Sequence, residues 1–189
     1  MRTLKVLLLS VAALLLSGCG YNTIQVQDEA TKSAWSEVVN QYQRRADLIP
    51  NLVNTVKGFA AQEQAVLIGV TEARAKATQV TVDPANPQSL QQFQAAQGEL
   101  SSALSRLMVV VERYPELKSD QNFRDLQAQL EGTENRIAVE RRRFNELAQG
   151  YNTSIRRFPM SLMAGMFGFD KKTYFEAAEG SEAAPKVAF

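Results

Sequence analysis

The chain has 189 residues, 45% of them hydrophobic and 22% charged, with 21 basic and 20 acidic side chains, a formal net charge of +1 and no histidine. So even a balance excludes the single-sign field that recruits nucleic acid or anionic lipid, and the lack of histidine removes the commonest general base and metal ligand. A single cysteine excludes an internal disulfide, so packing must hold the fold.

The chain opens with a basic segment, Met1-Arg2-Thr3-Leu4-Lys5, followed by the apolar run Val6 to Leu16 and the small residues Ser17-Gly18 before Cys19. Eleven apolar residues fall short of the roughly 20 that a spanning helix needs. The pattern is that of a lipoprotein signal peptide, residues 1–18, with Cys19 as the new N-terminus and lipid attachment site. An acylated thiol and an acylated amine together give the two or more chains that stable anchoring requires. Residues 19–27 read as a lipidated N-terminus and short tether. The 171 residues that remain after cleavage are enough for one core, and losing Arg2 and Lys5 brings the net charge to about −1. Because Gly20 and not Asp follows Cys19, the destination expected in a two-membrane bacterium is the outer membrane, facing the periplasm.

From Gln27 to about Ala77 apolar residues recur by threes and fours: Trp35, Val38, Tyr42, Ile49, Leu52, Val56, Phe59, Val66, Val70, Ala73 and Ala77. The spacing predicts one long amphipathic helix, kinked or broken near Pro50, where Asp47 could cap a restart. Thr78 to Pro87 predicts a hairpin loop between antiparallel helices. A helix from about Gln88 to Arg113 follows, with Phe93, Leu100, Leu104, Leu107, Val111 and Tyr114 on one stripe and Pro115 as its stop. Ser119 or Asp120 can cap the next helix, whose near-heptad runs through Phe123, Leu126, Leu130, Thr133, Ile137, Glu140, Phe144, Leu147, Tyr151, Ser154 and Phe158, up to Pro159. The fold class is all-α, long antiparallel helices in a four-helix-bundle-like arrangement over residues 28–176. Residues 177–189 read as a disordered tail.

With these elements placed, several blocks stand out: Tyr21-Asn22, Arg44 to Val53, Val56 to Ala60 with Glu63, Thr71-Glu72-Ala73-Arg74 and Tyr114-Pro115-Glu116-Leu117-Lys118. They continue with Phe123, Leu126-Gln127, Leu130 to Ile137, Tyr151-Asn152, Phe158-Pro159 and Phe167-Gly168-Phe169. In order and number they resemble the LemA family over essentially the whole mature length. The resemblance implies a long-helix bundle held at a bacterial membrane by its N-terminus, in a family whose biochemical role is not established.

Three charges fall on apolar stripes: Arg45, Glu63 and Glu140. A buried ion stripped of its partner costs about 3–5 kcal/mol, so Arg45 is expected to pair with Glu140 or Glu63 and fix helix register. The alternative is a carboxylate-based enzyme or metal-binding bundle using Glu63 and Glu140, although di-metal bundles draw on Glu-x-x-His motifs and no histidine exists here. Arg44, Asp47 and Asn51 share a polar face with Asn54 and Thr55. That face is a candidate interaction patch or simply a solvated face with an Arg44 to Asp47 pair. Arg141-Arg142-Arg143 reads as a solvated flank and Asn152-Thr153-Ser154 as a chance glycosylation match.

The run Phe158 to Phe169, with Met163, Met166, Phe167 and Phe169, is apolar on nearly every side. It either folds back over the open end of the bundle or offers a patch to a partner or membrane surface. The expected function is a non-enzymatic envelope lipoprotein with a scaffold or interaction role. It would use no cofactor, metal or nucleic acid, would meet the membrane through its lipid and an envelope protein as partner, and could form a homo-oligomer if apolar stripes stay exposed.

Overall fold

The computed structural model describes the backbone of residues 2–176 and the side chains of residues 20–176. The Cys19 side chain, those of the proposed signal peptide and the tail 177–189 lie outside the described residues. Six helices follow in order: α1 Arg2–Phe59, α2 Gln64–Gln79, α3 Pro87–Val111, α4 Pro115–Ser119, α5 Gln121–Ser154 and α6 Met160–Phe167; no strand occurs among the described residues. This is the expected all-α helical bundle. α5 runs antiparallel along α1, α2 folds back on α1, and α3 folds back on α2.

The first long helix differs from its sequence reading. α1 continues through Pro50 without a break, and Asp47 caps nothing: its Oδ1 accepts a hydrogen bond from Gln43 Nε2 at 2.7 Å, within the same helix. A proline at position 50 removes the N–H that would bond the carbonyl of Ala46. That carbonyl, on a buried residue, accepts instead from Arg74 Nε of α2 at 2.6 Å. The cost of proline inside the helix is thus offset by a bond that docks the next helix.

The reversal comes ten residues later, at Ala60–Glu63. Ala60 is fully buried, and Glu63 O accepts from Val66 N and Leu67 N to start α2. Phe59, read as core, is left 41% exposed at the turn. The later boundaries follow local chemistry. Asn86 Oδ1 accepts from Gln88 N and Ser89 N, with Pro87 opening α3, and Asp120 Oδ1 accepts from Phe123 N to open α5. α5 ends at Ser154, not at Pro159, since a proline disfavours helical angles in the residue before it and the last turn unwinds into Arg156–Pro159.

The core is layered along α1. Ile49, Leu52 and Val56 meet Leu67, Val70, Leu100, Leu107, Leu117, Phe123 and Leu130 at the end distal from the N-terminus. Trp35, Val38 and Tyr42 meet Leu90, Phe93, Ile137, Phe144 and Phe175 in the middle. Ile24 meets Tyr151, Ile155 and Ala164 at the N-terminal end. α2 and α3 reach only the first two layers. Below Trp35 their place is taken by α6 and the extended segment 169–176. Residues 20–27 are therefore not a tether: Ile24 is fully buried and the bundle begins within two turns of Cys19.

Candidate functional site

Two polar centres separate the three apolar layers. At the upper one, Arg45 is 2% exposed and its guanidinium donates to Gln97 Oε1 and Glu134 Oε1, and to Ser101 Oγ at 3.1 Å. Its Cζ also lies 5.2 Å from the Tyr42 ring centroid. Gln97 is buried and passes the network to α2 by donating to Ala77 O at 3.4 Å. One cation thus ties α1 to α3 and α5 at a single level.

The expected partners of Arg45 are not the real ones. Glu63 sits in the α1–α2 turn, where it binds Arg113 Nη2 at 3.1 Å and accepts from the Tyr114 hydroxyl at 3.1 Å. Glu140 lies 3.7 Å from Arg143 on its own helix, and its Oε2 accepts no hydrogen bond. Glu140 is 17 residues from Phe123, whose layer holds the α1–α2 turn; at 1.5 Å per residue that is about 25 Å of helix. The carboxylate pair is never assembled.

At the lower centre, Asp28 bridges Lys32 at 2.7 Å and Lys172 at 2.9 Å. Burial pushes the Asp28 carboxyl up, but hydrogen bonds and charge from Lys32 and Lys172 outweigh it and hold the group below the usual carboxylate value. Lys172 Nζ also stands 5.3 Å from the ring centroid of Tyr151. Burial, then the charges of Asp28 and Asp170, push the Tyr151 phenol up to about 12.

Lys172 belongs to a segment that two asparagines hold against α5. Asn152 donates to Lys172 O at 2.9 Å and accepts from Lys172 N at 2.8 Å; Asn145 does the same for Phe175 O and N, both at 2.9 Å. Seven helical residues rise about 10.5 Å and three extended residues span about 10 Å, so the two spacings match and each amide stands in for a neighbouring strand. Phe175 then enters the aromatic layer, stacked on Trp35 at 5.5 Å with Phe144 edge-on at 5.6 Å. Arg141, read as a solvated flank, covers the Phe175 ring at 4.7 Å and donates to Glu176 O. Asn152 is thus structural, and neither its role nor that of Asn145 was read from sequence. Gln97 and Asn152 did leave a signal, each being a polar residue at a stripe position, after Phe93 and after Ala148.

The lower layer is closed by α6. Met160, Met163 and Ala164 face inward with Phe169, while the Tyr21 ring meets Phe167 at 4.9 Å and Phe169 at 5.9 Å. Gly168, at φ 69°, ends the helix in the left-handed region that favours glycine. The opposite side stays open: Phe158 is 81% exposed, Leu162 62%, Met166 78% and Phe167 54%. The other half of the candidate patch, Arg44, Asp47 and Asn51, is exposed on α1 far from this end. Thirty residues of helix, about 45 Å, separate Asn51 from Tyr21, so the seven residues do not form one surface. Asn51 borders an open polar groove of about 480 Å³ between α1 and α5, with Asn54, Thr55, Asn122, Asp125 and Gln129. Among the described residues no group of three or more Cys, Asp or Glu is placed to hold a metal ion. Nor is any helix among them long and apolar enough to cross a membrane.

The sequence pattern of the LemA family matches residues 34–189. The chain belongs to the LemA family. Similar curated proteins are the magnetosome proteins MamQ 1 and MamQ 2 of Paramagnetospirillum magneticum, each 28% identical over 175 residues, and MamQ of Magnetospirillum gryphiswaldense, 27% identical over 174. Each alignment covers 82% of this chain and 64% of the relative, so the chain spans less than two thirds of their length. The family match takes in both the Arg45 layer and the segment held by Asn145 and Asn152, whereas Tyr21 to Asp28 precede it.

Proposed function

We propose that this LemA-family chain is an envelope lipoprotein whose bundle acts as a scaffold or interaction module, with Cys19 as the acylated N-terminus. The observation that carries the reading is the continuity of α1: the helix that follows Cys19 is the one around which all three core layers are built. An anchor at its start holds the whole bundle, with no flexible linker to decouple the two. Arg45, Gln97, Asp28, Asn145 and Asn152 serve register and closure, and Glu63 and Glu140 stand far apart, which favours a non-enzymatic role over a reaction at those two carboxylates. The MamQ relatives are named as magnetosome proteins, in keeping with a membrane-associated role.

The test is acyl labelling with membrane fractionation of the full chain and of Cys19→Ala. Labelling of the parent, lost in Cys19→Ala together with slower processing, is the expected result. Unchanged labelling of Cys19→Ala overturns the attachment site, and recovery of the parent in the inner membrane of a two-membrane cell overturns the outer-membrane destination.

A further inference from the structure

The open side of α6 lies beside the point where the chain meets its proposed anchor. Tyr21, which carries Phe167 and Phe169, is two residues from Cys19, or about 3 Å along the helix. A Cβ placed on Gly20 would lie 3.6 Å from Met160 Cγ, so α6 also touches the residue next to the cysteine. The polar headgroup layer of a bilayer is about 5–8 Å thick on each side. Residues 20–24 rise through roughly that depth, and α6 is packed on them.

The charges at this end complete the pattern. Arg156 and Arg157 precede the apolar run and Lys171 follows it; all three are exposed and form no side-chain ion pair among the described residues. Asp170 is the one acidic residue of the stretch from Arg156 to Lys171. An apolar face flanked by arginine and lysine fits the boundary between acyl chains and anionic headgroups. Eight helical residues bind such a surface weakly alone, but an anchor two residues away makes the contact intramolecular, where weak binding suffices.

We propose that the outward face of α6, formed by Phe158, Leu162, Met166 and Phe167 and flanked by Arg156, Arg157 and Lys171, lies in the headgroup layer of an anionic phospholipid bilayer. This face sets the tilt of the bundle on the membrane. The proposal rests on the anchoring read at Cys19, and the experiment separates the two.

The full-length acylated chain is reconstituted in vesicles of phosphatidylethanolamine with phosphatidylglycerol, carrying a nitroxide on Leu162→Cys or, as a control at the distal end, on Val109→Cys, which is 70% exposed in the parent. Acylation of Cys19 leaves the introduced thiol as the only one to label. At position 162 collisions with oxygen should exceed those with a water-soluble nickel complex, the ratio standing severalfold above that at position 109. In phosphatidylcholine vesicles, or with Arg156, Arg157 and Lys171 all changed to Ala, the ratio at 162 should fall. An aqueous signal at 162 in a chain that still floats with the vesicles overturns the proposal and leaves the anchor standing. A chain that takes label at Cys19 or fails to float overturns the anchor itself. Low collision rates at 162 with both oxygen and the nickel complex show a protein contact and also overturn the membrane assignment.

Discussion

Arg45 shows how one buried charge is made tolerable. Its ion-pair partner Glu134 is half exposed, so the part of the network out of reach of water is the bond to Gln97. Arg45→Ala therefore strands Gln97 and leaves a void, and should cost about 2–4 kcal/mol in urea unfolding of the folded domain. Glu134→Gln keeps an acceptor but removes the charge paired with a buried guanidinium, and should cost about 1–3 kcal/mol, less than a fully buried pair because Glu134 is half exposed. Replacing Arg45 with Met and Gln97 with Leu together should recover most of the loss, which a double-mutant cycle reads as strong coupling. Asp28 supplies a pH signature. Its folded carboxyl is held below the unfolded value near 4, so the stabilisation it gives is present above that value and lost as pH falls through the lower folded one. Asp28→Asn should lower stability at neutral pH and flatten the decline below about pH 4. That Arg45 would be buried and paired was legible from its place on an apolar stripe. Its partner was not, because Glu134 and Glu140 differ by less than two turns and only the lengths of the intervening turns decide which one arrives.

At the scale of elements, Pro50 and Arg74 act as one device across two helices. Arg74→Ala leaves the buried carbonyl of Ala46 without a donor and should cost about 1–3 kcal/mol. In the Pro50→Ala background the backbone N–H returns to Ala46 and the same substitution should cost much less. Equal cost in both backgrounds would show that Arg74 acts through something other than that carbonyl. The asparagine clamp makes a separate prediction. With Asn145 and Asn152 both changed to Ala, the amides of Lys172 and Phe175 lose their acceptors and should exchange far faster with deuterium, while those in the middle of α5 keep their protection. Periodicity placed the long helices because burial of one stripe dictates them. It missed the reversal at Ala60–Glu63, where Ala60-Ala61-Gln62-Glu63 are all helix-compatible residues and tertiary packing overrides their propensity. It also missed the clamp, since an extended segment held by side-chain amides has no helical or strand period to betray it.

At the scale of the whole molecule, the helix that carries Cys19 is also the axis of the core. The layers from Ile24 to Val56 are threaded on α1, and α5 returns the chain to the N-terminal end, where α6 and the segment 169–176 close the bundle. On the proposed anchoring, a rigid domain held at that end would present its distal face, with the α1–α2 turn and Arg113–Lys118, away from the membrane. The sequence patterns made the bundle legible and, separately, suggested the proposed anchor. Their direct junction was hidden, because residues 20–27 are mostly polar and read as a tether until α6 is seen to pack on them. The most direct test is the intact mass and N-terminal peptide of the protein purified from membranes. The expected chain begins at Cys19 and carries acyl chains on its thiol and amine. A chain that retains Met1, or one cleaved with an unmodified Cys19, would contradict the proposed anchor.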